Sequence, residues 1–141
     1  MLKKILLAFD GSENSLKAAD YALIMAQHNN AEVEIIHVRE SVTSYSTRVI
    51  YDAIEMEKEL VSEAEEIMAQ AIEKFKDTGI TFTTSIRTGD PAEIICEEAE
   101  KIGATEIVIG SRGMNTLSRF FLGSISLKVL THAHCTTIVV R

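Results

Sequence analysis

Two kinds of segment alternate along this sequence, and the alternation limits what it can fold into. Short apolar runs bounded by turn residues are each followed by a stretch whose apolar residues recur every three or four positions. Lys4 to Phe9 is an unbroken apolar run after its lysine, which reads as a strand buried on both faces. Asp10-Gly11-Ser12 makes a turn, and Ser12 suits the N-cap of a helix carrying Leu16, Ala19, Leu23 and Ala26. Asn29-Asn30 ends that helix, and Glu32 to Val38 is a second strand with Val33, Ile35, Ile36 and Val38 as its apolar members. Residues 39–49 are polar, rich in Ser and Thr and without a period, so they read as a loop.

From about Ile50 to Asp77 the pattern predicts one long helix. Ile50, Ile54, Val61, Ala64, Met68, Ala71 and Phe75 form its buried stripe, and Gly79 serves as its stop. Ile80, Phe82, Thr84 and Ile86 then alternate with Thr81, Thr83, Ser85 and Arg87, the pattern of a half-exposed strand at a sheet edge. In Gly89-Asp90-Pro91, Asp90 is the N-cap, Pro91 the first helical residue, and Glu93 completes a capping box. That helix carries Ile94, Ile95, Ala99 and Ile102 and stops at Gly103. Ile107 to Ile109 is a short strand apolar on both faces, Ser124 to Thr131 a short helix, and Thr136 to Val140 the last strand.

Five strands alternating with four helices imply an α/β fold: one doubly wound parallel sheet with helices on both faces. At 141 residues the chain makes a single domain, residues 1–141. Such sheets bind ligands outside the carboxyl ends of the strands, where the winding reverses.

Charge narrows the partners. The net charge of −7 argues against a nucleic-acid binder, which carries a basic face. All acidic residues lie at or before Glu106, whereas the final third holds Arg112, Arg119, Lys128 and Arg141, so this third suits an anion. Cys96 and Cys135 form no zinc set and no CxxC pair and read as small apolar core residues. No apolar run reaches the roughly 18 residues of a membrane span, and the apolar start stops at Asp10, too short for a secretory signal, so the expected location is cytoplasmic. His37 lies on a buried strand and reads as a packed structural histidine. His132 and His134 sit near a helix end, where positive charge suits the dipole.

After the fourth strand come Gly110-Ser111-Arg112-Gly113 and, nine residues on, Gly123-Ser124-Ile125-Ser126. Glycines let a backbone approach a polyanion and adopt positive φ. The free N–H groups of a helix start, with the hydroxyls of Ser124 and Ser126, can donate to phosphate oxygens. Gly110 and Gly113 alone would also suit a plain turn, and Ser124 a plain N-cap; their combination favours phosphate. The GxxxxGK[ST] pattern is absent, as is GxGxxG after the first strand.

The spacing Gly110-x2-Gly113-x9-Gly123-Ser124 resembles the G-2x-G-9x-G-[ST] motif of the universal stress proteins. Lys4 to Ser12 and Ile36-His37-Val38 are similar to that family as well. The resemblance covers the whole chain and implies strand order 3-2-1-4-5, an adenine nucleotide alpha hydrolase-like sheet. It implies an ATP site, shared in its adenosine half with AMP and ADP. Ala8 and the Val38 backbone would sit at the adenine. Asp10 would contact ribose or a phosphate-bound Mg2+, although an Asp before Gly-Ser is often only a cap. Ile109, Gly110, Gly113, Gly123, Ser124 and Ile125 would form the ribose and phosphate cradle. Arg112 falls at a variable position of the loop, so its role is open, and Ala8 stands where some members have proline.

Three functions compete. The first is a nucleotide-dependent regulatory protein in a stress response, read by a downstream protein partner and hydrolysing ATP slowly at most. The second is a weak ATPase or phosphotransferase, although no Walker lysine and no glutamate or glutamine lies beside the loop. The third is a dimeric interaction module without nucleotide, which the intact motif argues against. The resemblance also implies a homodimer through strand 136–140, an edge segment with no proline and no charge before the terminal Arg141.

Overall fold

A computed structural model describes residues 2–39, 50–112 and 122–141. Among them the elements run β1 (Lys4–Ala8), α1 (Glu13–Asn29), β2 (Glu32–Arg39), α2 (Ile50–Phe75), β3 (Phe82–Thr88), α3 (Pro91–Ile102), β4 (Glu106–Gly110), α4 (Ser124–His132) and β5 (Thr136–Val140). The strands form one sheet in the order β3-β2-β1-β4-β5, all neighbours parallel. β1 is central, paired with β2 through Leu7↔Ile35 and with β4 through Leu7↔Val108.

Alternation along β1 shows the double winding. Ile5, Leu7 and Phe9 enter a core with Ala18, Ala19, Ala22 and Ala26 of α1 and Met68, Ala71 and Phe75 of α2. Leu6 and Ala8 enter the opposite core with Ala92, Ile95 and Ala99 of α3 and Val129 of α4. Cys96 and Cys135 are free thiols half-buried beside this second core. Burial pushes both thiols above the usual range, Cys96 with help from the Glu100 charge and Cys135 with help from Cys96 and Glu106, which suits packing better than reactivity.

The capped helix starts form as the sequence suggests. Ser12 Oγ accepts from the Ser15 N–H, and Asp90 Oδ2 accepts from the Glu93 N–H at 3.0 Å. Only the Asp90 half of the capping box appears among the described hydrogen bonds. Gly103 ends α3 in the left-handed conformation, φ 66°. Two details of α2 differ from the sequence reading. It ends at Phe75, with Asp77 turning to φ 59° ahead of Gly79, so an aspartate makes the first left-handed turn. Its stripe is also buried only in the second half. Ala64, Met68, Ala71 and Phe75 are in the core, whereas Ile54 is 50% and Val61 39% exposed. β2 extends to Arg39, one residue into the loop predicted over 39–49, and the rest of that loop and the side chain of Ile50 lie outside the described residues.

Candidate functional site

At the carboxyl edge of the sheet the chains leaving β1 and β4 turn to opposite faces, and a crevice of about 290 Å³ opens between them. The ends of β1, β2 and β4 form its floor, the start of α3 one wall and the start of α4 another. Every described residue named as a candidate lines it: Ala8, Asp10, Val38, Ile109, Gly110, Arg112, Gly123, Ser124, Ile125 and Ser126. Gly113 and Arg119 lie outside the described residues.

The crevice has an apolar half and a polar half. Ala8, Ile36, Val38, Pro91, Ile95 and Ile109 supply the apolar lining. The β1–β2 ladder stops where the Phe9 N–H meets the Ile36 carbonyl at 2.9 Å. Backbone groups of a strand repeat every two residues, so the N–H and C=O of Val38 point the same way as those of Ile36, past the end of β1. A donor and an acceptor therefore stand beside an apolar slot, which suits a flat heteroaromatic base.

The polar half is built around α4. Its N-cap is Gly123, not Ser124; φ is −64°, no side chain caps the helix, and its first turn contains no acid. The N–H groups of the first turn thus open on the crevice with the positive end of the helix dipole behind them. Two hydrogen bonds hold this helix start. The Gly123 N–H donates to the Ser111 carbonyl at 2.7 Å, and Ser126 Oγ donates to the Gly110 carbonyl at 2.6 Å. The Ser126 proton is therefore committed to the backbone, and its hydroxyl fastens α4 to β4, whereas the sequence suggested a phosphate donor. Ser124 is exposed at the first helical position and keeps that role open.

Gly110 also works differently from the expectation. Neither it nor Gly123 has positive φ. A Cβ at Gly110 would come within 2.8 Å of the Asn14 backbone, so the glycine lets the first turn of α1 lie against the end of β4. Asn14 completes that junction, donating from Nδ2 to Ser111 Oγ at 3.0 Å in a buried position.

Asp10 is half-exposed at the end of β1. Its Oδ1 accepts from the Ser12 N–H at 2.9 Å, an Asx-turn, and no hydrogen bond to Oδ2 is made among the described residues. Sequence reasoning missed Ser15, Pro91 and Ile95 as lining residues, and it placed His37 in the core alone. His37 is 7% exposed and lines the crevice, with Nδ1 2.8 Å from the Phe9 carbonyl. A carbonyl only accepts, so Nδ1 carries a proton and the ring ties the ends of β1 and β2 together. Its place depends on the pairing register, which the sequence does not show: His37 lies one residue beyond the last β1–β2 pair, Ala8↔Ile36. His132 Nδ1 lies 2.9 Å from the Lys128 carbonyl in the last turn of α4, and among the described residues no three His, Cys, Asp or Glu side chains are grouped to hold a metal.

Residues 1–141 match the universal stress protein family over the whole chain. The universal stress protein YxiE of Bacillus subtilis is 38% identical over 148 residues, with both sequences fully covered. Among solved structures, the universal stress protein UspA from Lactobacillus plantarum superposes with a TM-score of 0.86 at 25% identity, covering 99% of this chain and 97% of that one. A universal stress protein family protein from Arabidopsis thaliana, solved with AMP bound, has the same fold at 21% identity and a TM-score of 0.73, covering 98% and 90%.

Proposed function

Because the chain belongs to the universal stress protein family, we propose that its crevice binds an adenine nucleotide, base in the apolar half and phosphates at the start of α4. One observation carries the reading: the only described helix start in the crevice without a side-chain cap or a first-turn acid is the one beside the Gly123-Ser124 pair. The AMP complex of the Arabidopsis thaliana relative supports the ligand class. ATP is the physiological ligand in this proposal, with AMP and ADP sharing the adenosine half.

The donors present fit a phosphate-bound Mg2+. Asp10 offers one carboxylate oxygen, and Mg2+ is commonly held by one or two carboxylates with phosphates and water supplying the rest. The metal would neutralise phosphate charge; the chain itself would hold the base, orient the ribose and donate N–H groups. Asp10 is the sole carboxylate among the described lining residues, and it is tied into a turn rather than placed as a base. The role we assign is therefore regulatory: a cytoplasmic stress-response protein whose bound nucleotide changes a surface read by a protein partner.

The described side of β5 opposite β4 carries no partner strand, and we propose that a second copy pairs there antiparallel across a two-fold axis. Light scattering at micromolar protein then gives about twice the 15.6 kDa of the chain. A mass at the monomer value overturns the pairing.

The nucleotide reading is tested by extracting the protein as purified and identifying the released nucleotide, then by thermal shift with AMP, ATP and none. A rise in melting temperature with adenine nucleotides supports it, and no shift with any of them overturns it. Phosphate release at steady state separates binding from turnover.

A further inference from the structure

The face of the sheet covered by α3 holds a partly buried ionisable cluster that the crevice does not use. Glu34 lies in the middle of β2, between Leu6 of β1 and Thr83 of β3. By strand alternation it shares the α3 side with Ile36 and Val38. Glu98 on α3 is only 6% exposed. Glu98 acts on the Glu34 carboxyl both as a side-chain hydrogen-bond neighbour and through its charge. Arg87 of edge strand β3 donates from Nη1 to Glu98 Oε1 at 3.1 Å. Glu34 Oε2 is buried without a hydrogen-bond partner. Lys101, three residues beyond Glu98, adds a second positive charge, while Lys4 of β1 and Glu32 of β2 line a small cavity of about 120 Å³ with Glu34.

Two carboxyl groups this near each other, Glu98 buried and Glu34 partly shielded from water, do not both ionise without cost. One proton resolves the conflict. Glu34 then donates its O–H to Glu98, and Glu98 keeps its charge-assisted bond to Arg87. We propose that Glu34 and Glu98 form a proton-binding site that docks α3 on the sheet while the proton is held and loosens it when the proton leaves. Pro91 and Ile95 of the crevice wall stand on the same helix, Ile95 one turn before Glu98.

The direction of the pH effect follows from the cluster. Burial first, then the Glu98 hydrogen bond and charge, push the Glu34 carboxyl up to about 7 from 4.5, against the lowering effect of Lys101 and Arg87. Between those values the folded protein binds more protons than the unfolded one. Stability and α3 docking therefore fall as pH rises through about 4.5 to 7 and level off above it. The two groups titrate as a unit, so the midpoint belongs to the pair.

Carbon-13 NMR titration of glutamate-labelled protein reads the site directly, without nucleotide. One carboxyl with a midpoint near 7 is expected, lost in Glu34→Gln. In Glu98→Gln the Glu34 midpoint falls toward the ordinary glutamate range. Amide exchange reads the consequence: after correction for intrinsic rates, opening of α3 increases about tenfold from pH 6 to pH 8 in the wild type. Glu34→Gln, whose amide keeps a donor toward Glu98, shows no such change. The proposal is overturned if every glutamate of the wild type titrates below about 5.5, if Glu98→Gln leaves the Glu34 midpoint in place, or if Glu34→Gln shows the same pH-dependent opening. The wild-type titration decides even where a variant folds poorly.

Discussion

Helices α3 and α4 begin at the same edge of the sheet and cover the same face, yet they begin in opposite ways. Before α3, Asp90 Oδ2 takes the Glu93 N–H, Pro91 fills the first position where no N–H is needed, and Glu93 adds a charge complementary to the dipole. Before α4, Gly123 offers no side chain and the first turn holds no acid. A helix start has four N–H groups without internal partners, and a chain closes them itself where nothing else will arrive. The open start of α4 faces the crevice, whereas Asp90 lies outside it. The difference is what the proposed function requires: an α4 terminus left open for an anion from outside the chain.

The most direct way to break this contrast is to give α4 the cap of α3. Gly123→Asp places a carboxylate where it takes the N–H groups proposed for phosphate and repels the phosphate itself. Losing charge-assisted bonds of about 1.5–3 kcal/mol predicts a loss of nucleotide affinity on the order of 100-fold. The nucleotide-free protein should melt no lower, since aspartate is at least as good an N-cap as glycine. Calorimetry with AMP and ATP checks the affinity, and an unchanged value removes the start of α4 from the site.

A smaller effect separates the metal from the turn at Asp10. Asp10→Ala should weaken ATP binding roughly tenfold in Mg2+ if one carboxylate–metal contact is lost, about 1.4 kcal/mol. In EDTA the loss should largely vanish. Equal losses in both conditions would assign Asp10 to ribose or to its Asx-turn with Ser12, and no loss in either would remove it from the site.

Helix placement and the phosphate half of the crevice were legible in the sequence because each rested on a signal one segment carries by itself, whereas the strand order and the adenine-side residues came only from the family resemblance. The apolar run of β1, the caps at Ser12 and Asp90 and the motif spacing are local. What escaped the sequence depended on pairs far apart in it. Gly110 is needed by Asn14, and Ser126 spends its proton on Gly110, contacts that no periodicity encodes. The exposed half of the α2 stripe fails for the same reason: helical spacing says which residues share a face but not whether anything packs against that face. His37 was legible as buried but not as lining the crevice, since that depends on where β1 stops.

The smallest effect tests the other half of the contrast. If the cap of α3 serves only the fold, its removal should cost stability and leave the ligand alone. Asp90→Ala deletes the acceptor for the Glu93 N–H, a loss of about 1 kcal/mol, which lowers the melting temperature of a domain this size by roughly 2–4 °C. Pro91 and Ile95 still stand on the crevice wall, and Pro91 still presets the first turn, so the helix frays at its N-cap without leaving the sheet. Nucleotide affinity should therefore change less than about twofold, well under the tenfold that 1.4 kcal/mol would give. A drop in affinity as large as that of Gly123→Asp, at unchanged protein concentration and pH, would mean that the two helix starts act on the ligand alike. The contrast between a closed terminus and an open one would then carry no functional meaning.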